Sequence, residues 1–182
     1  MNFTESKMQG LFLIKSKVYR DNRGYFLESY KDNLFKKKIG DISFIQDNES
    51  KSCKNTLRGL HFQKPPFSQI KLVRCIVGEI LDVVVDLRQD SKTFQLHEKF
   101  FLSEKNKNQI FVPKGFAHGF LVLSDFAIVQ YKVDQLYNSS SDFGIRWNDP
   151  KLSIDWEIDQ SKIIISKKDS ELGFLADSSC LF

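Results

Sequence analysis

Residues 69–88, QIKLVRCIVGEILDVVVDLR, constrain the fold more than any other stretch of this 182-residue chain. Gly78 and Glu79 divide the stretch into two segments that are both rich in Val, Leu and Ile. In the first segment, Lys71, Val73, Cys75 and Val77 alternate with Leu72, Arg74 and Ile76. A period of two residues is typical of β-strands, because successive side chains point to opposite faces. The stretch therefore predicts two strands that pair as a hairpin.

The rest of the chain repeats this β pattern in shorter pieces. Residues 94–102, 109–112 and 119–133 are β-like and bounded by polar, Gly or Pro residues, whereas helical signal is confined to residues 32–39 and a turn or two after residue 166. Several short strands with turns between them favour a sandwich or barrel over a βαβ array. With 41% hydrophobic residues and no Pro- or Gly-rich linker, the chain can build one core. We predict an all-β fold with short peripheral helices, in a single domain over residues 1–182.

Cysteine usage, the N-terminus and the charge bear on location and partners. The three cysteines, Cys53, Cys75 and Cys180, form no Cys-x-x-Cys pair, and their odd number fits a reducing compartment. The N-terminus has only a four-residue apolar stretch, too short for a signal peptide or membrane span. The net charge of +4 comes from scattered residues, whereas nucleic-acid-binding proteins cluster theirs on one face. We expect a cytoplasmic protein that binds neither membrane nor nucleic acid.

The segment LRGLHFQ at residues 57–63 carries the densest group of chemically useful side chains. In an extended strand, Gly59, His61 and Gln63 point to one side, while Leu60 and Phe62 pack on the other. Histidine titrates near neutrality, which suits a general base. A single histidine on a strand is more often structural than catalytic, so this segment alone leaves both interpretations open.

A second segment, FVPKGFAHGF at residues 111–120, contains the pattern Pro-x-Gly-x-x-His ending at His118. This pattern resembles the second motif of cupin barrels, in which the histidine normally binds a metal ion. The His-x-His expected in the first motif reads His61-Phe62-Gln63 here, and His97 is the remaining histidine. A zinc or iron site needs more ligands of this kind in close spacing. A three-histidine metal site is therefore possible, but this spacing supports it poorly.

Other residues are ambiguous when each is taken alone. Arg23 and Glu28 could hold a phosphate and a sugar hydroxyl, or could form surface ion pairs. Tyr131 could donate a proton or simply pack. Asp169 could orient a histidine if the tail folds back over the strands. The chain contains no Gly-x-Gly-x-x-Gly, Walker or Gly-x-Ser-x-Gly motif, which argues against nicotinamide redox chemistry, nucleotide hydrolysis and the common serine hydrolases.

Taken in order, these motifs resemble one family over roughly residues 10–170. They are Asp21-x-Arg23-Gly24-x-Phe26-x-Glu28, Phe44-x-Gln46-Asp47-Asn48-x-Ser50, Leu57-Arg58-Gly59-Leu60-His61-Phe62-Gln63, Lys71-Leu72-Val73-Arg74-Cys75, Asp82-Val83 through Asp86-x-Arg88, Pro113-x-Gly115-Phe116-Ala117-His118-Gly119-Phe120, Tyr131-Lys132, Trp147-Asn148-Asp149-Pro150 and Ile154-Asp155-Trp156. This series looks like that of the dTDP-4-dehydrorhamnose 3,5-epimerases. The sequence departs from the family pattern at Ile70, Leu136 and Asp142, where a smaller residue, an aromatic residue and a Glu are common.

The resemblance implies a cupin-type jelly roll, a homodimer, no cofactor and a nucleotide-linked 4-keto-6-deoxyhexose as substrate. It implies that His61 is the general base with Asp169 as its carboxylate partner, that Tyr131 is the proton donor, and that Lys71 stabilises an enolate. The residues that it places around the substrate and its diphosphate are Arg23, Glu28, Gln46, Asn48, Arg58, His118, Asp142 and Lys168.

These roles agree with the chemistry of a 4-keto sugar. The ketone acidifies the protons at C3 and C5, because loss of either leaves an enolate with its charge on the C4 oxygen. That oxygen needs a cation or donors fixed nearby, which suits Lys71, Arg58 or both. Inversion then needs a base on one face of the sugar and an acid on the other.

Three alternatives remain open at this point. The same catalytic set could serve an enzyme that inverts only C3 or only C5, or one that uses another nucleotide or a heptose. A non-catalytic sugar-nucleotide-binding protein could use the same barrel, although the chain retains the base, the acid and the lysine. A metal-dependent cupin enzyme is the third alternative, which the missing second histidine opposes.

Overall fold

The computed structural model describes residues 1–177 and residue 182, and within them strands far outnumber helices. The strands are β1 (Asn2–Glu5), β2 (Phe12–Lys15), β3 (Val18–Asp21), β4 (Gly24–Leu27), β5 (Gln46–Cys53), β6 (Thr56–Gln63), β7 (Lys71–Val77), β8 (Glu79–Asp86), β9 (His97–Ser103), β10 (Asn108–Val112), β11 (Phe116–Val122), β12 (Phe126–Val133), β13 (Asp142–Gly144) and β14 (Ile164–Ile165). The α-helices are α1 (Asp32–Lys38) and α2 (Lys167–Ser170). The all-β fold with short peripheral helices is therefore confirmed.

Two antiparallel sheets form a sandwich. The first sheet has the strand order β1-β2-β10-β7-β12-β5, and the second has the order β13-β6-β11-β8-β9, with β14 added in parallel to β6. Their facing sides enclose a core that includes Val73 and Val129 from the first sheet and Val84 and Phe120 from the second. Burial of these apolar side chains drives the two sheets together.

The predicted hairpin over residues 69–88 is wrong in its pairing, although both strands exist. Strand β7 lies between β10 and β12 in the first sheet, whereas β8 lies between β11 and β9 in the second. Gly78 makes the corner with φ of +80°, and a Cβ there would lie 2.2 Å from the carbonyl oxygen of Phe126. Because seven consecutive residues of β8 are buried, both of its faces need cover, which a two-stranded hairpin could not supply.

The C-terminal part of the chain supplies that cover. On the outer face of the second sheet, Leu81 and Val83 belong to a cluster with Ile145, Leu152 and Trp156. The chain then returns along β6 as β14 and enters α2. The fold-back that would bring Asp169 to the strands is thus a product of apolar packing.

On the first sheet, α1 covers part of the outer face through Phe35, which packs with Tyr30, Phe44 and Phe111. The helix matches the predicted residues 32–39. The hairpin β3–β4 stays apart as a two-stranded sheet, and Phe26 on it is 65% exposed.

No helix in residues 1–177 is long and apolar enough to cross a membrane. Cys53 is exposed and Cys75 is buried, both as free thiols, and Cys180 lies outside the described residues.

Candidate active site

A cleft opens between the two sheets where β6, β7, β11 and β12 meet. It consists of two adjoining cavities of about 220 and 280 Å³. His61, Lys71 and Tyr131 line both cavities, so these three side chains stand at the junction. His61 comes from the second sheet, whereas Lys71 and Tyr131 come from the first. A small molecule in the cleft would be flanked by His61 on one side and by Lys71 and Tyr131 on the other.

His61 forms a hydrogen-bonded pair with the carboxylate of Asp169. The Nε2 atom of His61 lies 2.7 Å from Oδ1 of Asp169, and the backbone N–H of Gly59 donates to Oδ2 at 3.2 Å. Asp169 is held in α2, whose N-cap Ser166 accepts a bond from the Asp169 N–H. Burial by itself would raise the pKa of Asp169, but the bonds from His61 and Gly59 together lower it. Because the ionised carboxylate only accepts, Nε2 carries the proton and Nδ1 is left free as a base.

Gly59 allows this arrangement because β6 and β11 approach unusually closely there. A Cβ on Gly59 would lie 2.6 Å from Cα of Gly119, and the φ of Gly59 is +118°. The β6–β11 register also shifts between His118 and Phe120. Arg58 and His61 therefore both line the cleft although they stand three residues apart, which simple alternation does not predict. Arg58 is anchored by its Nε, which donates to Oγ of Ser52 at 2.9 Å.

A second histidine–aspartate pair lies beside the first. His118 is the cross-strand partner of His61, and its Nε2 lies 2.9 Å from Oδ2 of Asp82. Asp82 is fully buried on β8, and its Oδ1 has no hydrogen-bond partner among the described residues. Burial raises the pKa of Asp82, against the opposing charges of His118 and Lys71.

Lys71 and Tyr131 are the other two groups at the junction. Burial lowers the pKa of Lys71 to about 8, although the negative charges of Asp142 and Asp82 act in the opposite direction. Burial also raises the pKa of Tyr131, against the effect of the Arg58 charge. Lys71 is thus an ammonium that can give up its proton near neutrality, and Tyr131 is a phenol that keeps its proton.

One wall of the cleft is a polar cluster around Asp142. The Tyr137 hydroxyl donates to Oδ2 of Asp142 at 3.0 Å, and the Lys168 ammonium forms an ion pair with the same carboxylate. Gln46 and Asn48 lie on β5 in the same cavity, joined by a 2.7 Å bond between their side chains. Because Lys168 precedes Asp169 on α2, this wall and the His61 pair share one helix.

The structure brings together ten of the twelve predicted site residues. They are His61, Tyr131, Asp169, Lys71, Gln46, Asn48, Arg58, His118, Asp142 and Lys168. Arg23 and Glu28 line neither cavity of their own chain. Arg23 pairs with Asp21 on the exposed β3–β4 hairpin, and Glu28 pairs with Lys31.

Sequence reasoning gave no role to Asp82, Ser52 or the Tyr137 hydroxyl. Asp82 had a usable signal, because an aspartate within the apolar run ILDVVVD must find a partner when it is buried. Ser52 and Tyr137 had none, since their contacts join separate strands and loops.

Within residues 1–177, no group of three or more His, Cys, Asp or Glu side chains could hold a metal ion. His61 and His118 each face a carboxylate, and Gln63 is occupied by backbone contacts to Phe67 and Asn138. A larger cavity of about 720 Å³ lies elsewhere, beside His97, and contains none of the predicted site residues.

A two-sheet barrel whose interior cleft holds a His–Asp pair, a lysine and a tyrosine defines a cupin-type protein equipped for proton transfer. The family model for dTDP-4-dehydrorhamnose 3,5-epimerase matches residues 5–177. The chain belongs to the dTDP-4-dehydrorhamnose 3,5-epimerase family.

Individual relatives are similar over almost the whole chain. The dTDP-4-dehydrorhamnose 3,5-epimerase of Escherichia coli (strain K12) is 46% identical over 173 residues, which cover 94% of this chain and 93% of the relative. The crystal structure of the enzyme of that name from Elizabethkingia anophelis has a TM-score of 0.95 at 42% identity, covering 99% of both chains. A Legionella pneumophila dTDP-6-deoxy-D-glucose-3,5-epimerase in complex with dTDP-4-keto-L-rhamnose has a TM-score of 0.92 at 41% identity, covering 96% of this chain and 93% of that one.

Proposed function

We propose that this chain converts dTDP-4-dehydro-6-deoxy-D-glucose into dTDP-4-dehydro-L-rhamnose by epimerising C3 and C5. The observation that carries the proposal is the 2.7 Å His61–Asp169 pair, which shares a cleft with Lys71 and Tyr131. Family membership supports the substrate class, and the geometry supports the chemistry.

The reaction begins when Nδ1 of His61 removes the proton from C3 or C5. Asp169 lowers the barrier because its carboxylate stabilises the imidazolium that forms. The electron pair moves onto the C4 oxygen, where Lys71 faces the developing negative charge as an ammonium. Arg58 lines the same part of the cleft and adds a second positive charge.

Inversion is completed when a proton returns to the carbon from the opposite face. Tyr131 suits this role because it projects from the first sheet, whereas His61 projects from the second. Its raised pKa keeps the phenol protonated until the enolate requires a proton. The neighbouring cavity, with Gln46, Asn48, Asp142 and Lys168, offers amide, carboxylate and ammonium groups for the nucleotide and diphosphate.

The decisive experiment incubates the protein in heavy water with dTDP-4-dehydro-6-deoxy-D-glucose and follows deuterium at C3 and C5 by NMR. Incorporation at both carbons with inversion is the expected result. Incorporation at one carbon would select an enzyme that inverts a single centre, and none would reject this substrate. Binding without exchange would favour the sugar-nucleotide-binding alternative.

The acid role of Tyr131 has its own signature in this experiment. In Tyr131→Phe, His61 can still remove and return a proton on its own face of the sugar. Deuterium wash-in should therefore survive better than inversion. Equal loss of both would remove Tyr131 from the role of opposite-face acid.

We also propose that the chain acts as a homodimer, as a single cupin-type domain in the cytoplasm. The β3–β4 hairpin supports a dimer because Tyr19, Tyr25 and Phe26 are each at least half exposed on it. The same hairpin carries Arg23, which its own cleft does not contain. A hairpin that crosses to the cleft of a second copy would bury these rings and deliver Arg23 and Glu28 to the substrate.

A mixing experiment tests this arrangement. His61→Ala and Arg23→Ala chains are each expected to be inactive, whereas mixed dimers regain one complete site from Arg23 of one copy and His61 of the other. Random mixing should restore about a quarter of the sites. If dimers form and no activity returns, Arg23 does not serve the partner's cleft.

A further inference from the structure

The buried Asp82 has no task in the proposed reaction, although it is bonded to His118, which lines the cleft. Asp82 is 0% exposed, and the one described group bonded to its carboxylate is the His118 ring. Its second oxygen, Oδ1, is buried and has no hydrogen-bond partner in residues 1–177 or at residue 182. An ionised carboxylate with so few donors carries a large desolvation cost.

Asp86 shows what a charged aspartate on the same strand requires. Its carboxylate accepts bonds from the Arg88 backbone and guanidinium and from the hydroxyls of Ser91 and Thr93. Burial would raise the pKa of Asp86, but these donors together lower it. Among the described residues, Asp82 has no hydrogen-bond donor beyond the His118 ring, and burial raises its pKa.

We propose that Asp82 is a positioning residue that makes His118 a permanent hydrogen-bond donor to the substrate, by keeping one proton on the Asp82–His118 pair at neutral pH. This inference rests on the proposed function. The proton has two places within the pair. In the ion pair, His118 carries protons on both ring nitrogens; in the neutral pair, Asp82 donates to Nε2 and the ring proton sits on Nδ1. Nδ1 of His118 carries a proton in both states.

That Nδ1–H donor belongs to the half of the cleft where the sugar reacts. His118 lines the cavity with His61, Lys71 and Tyr131, and its Nδ1 bonds to none of the described residues. A neutral or cationic donor here would stabilise the enolate oxygen together with Lys71. The charged and titratable groups that surround His118 are Asp82 on β8, His61 and Arg58 on β6, Lys71 on β7 and Tyr131 on β12.

Nitrogen NMR reports directly whether each ring nitrogen of a histidine carries a proton. Because the chain has only three histidines, the signals can be assigned to individual residues. In protein labelled with 15N-histidine, His118 is identified by the signals that His118→Phe removes. At neutral pH we expect Nδ1 of His118 to be protonated and Nδ1 of His61 to be bare. A bare Nδ1 on His118 would overturn the proposal, even if every variant of Asp82 failed to fold.

Kinetics test whether Asp82 acts through His118. His118→Phe should lower kcat by about a hundredfold, as for loss of an oxyanion donor, with a much smaller change in KM. Asp82→Leu should lower kcat by at least about tenfold, and the double variant should be no slower than His118→Phe. Fully additive losses would show that Asp82 serves only packing and would overturn the proposal.

Asp86→Asn is the matched control, since it alters a buried aspartate on the same strand that does not line the cleft. It should lower the melting temperature and leave the His118 nitrogen spectrum unchanged, and a changed spectrum would remove the specific role of Asp82. If the wild type fails to exchange deuterium into the sugar, the proposed function fails, and the nitrogen spectrum still decides the protonation of the pair.

Discussion

Two histidine–aspartate pairs stand side by side in this cleft, and their surroundings differ sharply. The His61 side chain is 31% exposed, whereas His118 is 9% exposed. Asp169 accepts from His61 and from the Gly59 backbone, and its pKa is lowered. Within the part of the chain that the structure describes, Asp82 bonds to His118 alone, and its pKa is raised. The same two residue types can therefore have opposite roles, because burial and the number of hydrogen-bond donors decide whether the histidine or the aspartate of a pair holds the proton. The first pair suits a base and the second suits a donor.

The largest expected effect comes from removing the first histidine. His61→Ala should lower kcat by about a thousandfold or more and abolish deuterium exchange at both C3 and C5, since no other base lies at that position. His97→Gln is the control, because His97 lines the separate 720 Å³ cavity. Exchange at either carbon in His61→Ala would mean that the second pair can also act as a base.

The loss in kcat should differ between Asp169 and Asp82 when each carboxylate is changed to an amide. Asp169→Asn should cost about a hundredfold in kcat, since the amide no longer stabilises the imidazolium and can favour the wrong tautomer. Asp82→Asn should cost less than about tenfold, because an amide N–H can donate to Nε2 of His118 as a protonated acid does. Equal losses measured under the same conditions would contradict the division of tasks.

The pH dependence of activity tests the Lys71 ammonium, which lines the same cavity as His61 and His118. Lys71 has a pKa of about 8, so kcat/KM should fall as the pH rises above that value and the ammonium is lost. Asp142→Asn removes the larger of the two opposing negative charges and should move this alkaline limb to lower pH, by up to about one unit. Asp47→Asn changes an aspartate that pairs with Lys132 and lines neither cavity, and it should leave the limb in place. If the alkaline limb of kcat/KM does not move in Asp142→Asn, the limb reports the ionisation of a group other than Lys71.

Treatment with a metal chelator is expected to have no effect on activity, which makes it the smallest of the predicted changes. Both histidines already use Nε2 in a carboxylate pair, so a metal shared between them would have to displace those bonds. Activity before and after dialysis against chelator should agree within error. Loss of activity that returns with added iron, nickel or zinc would revive the metal-dependent cupin alternative.

Local features of the fold could be predicted from the sequence, whereas the assignment of strands to sheets could not. The alternation over residues 71–77 gave β7, and residues 32–39 gave α1. The pairing of β7 with β8 was wrong because the position of β8 depends on residues 145–165, which cover its outer face from far along the chain. The local sequence pattern of β7 and β8 gives no information about packing by residues so distant in the chain.

The candidate site shows the same division. The family resemblance identified ten residues that the structure brings together at the cleft, including Asp169, which is more than 100 residues from His61 and bonded to it. Asp82 was passed over, since a motif names a residue without naming its contacts. The predicted roles of all twelve residues remain predictions, and Arg23 and Glu28 also lie outside the cavities of their own chain.

The position of Asp169 in α2 has a consequence for the protein while it is being synthesised. Strands β1 to β13 end at Gly144, so both sheets have been synthesised before the aspartate appears. Until α2 docks on β6, His61 lacks its carboxylate partner, and the cleft lacks the His–Asp pair that the proposed reaction uses. A nascent chain therefore gains both the carboxylate partner of His61 and the Lys168 side chain of the binding wall late, through one four-residue helix.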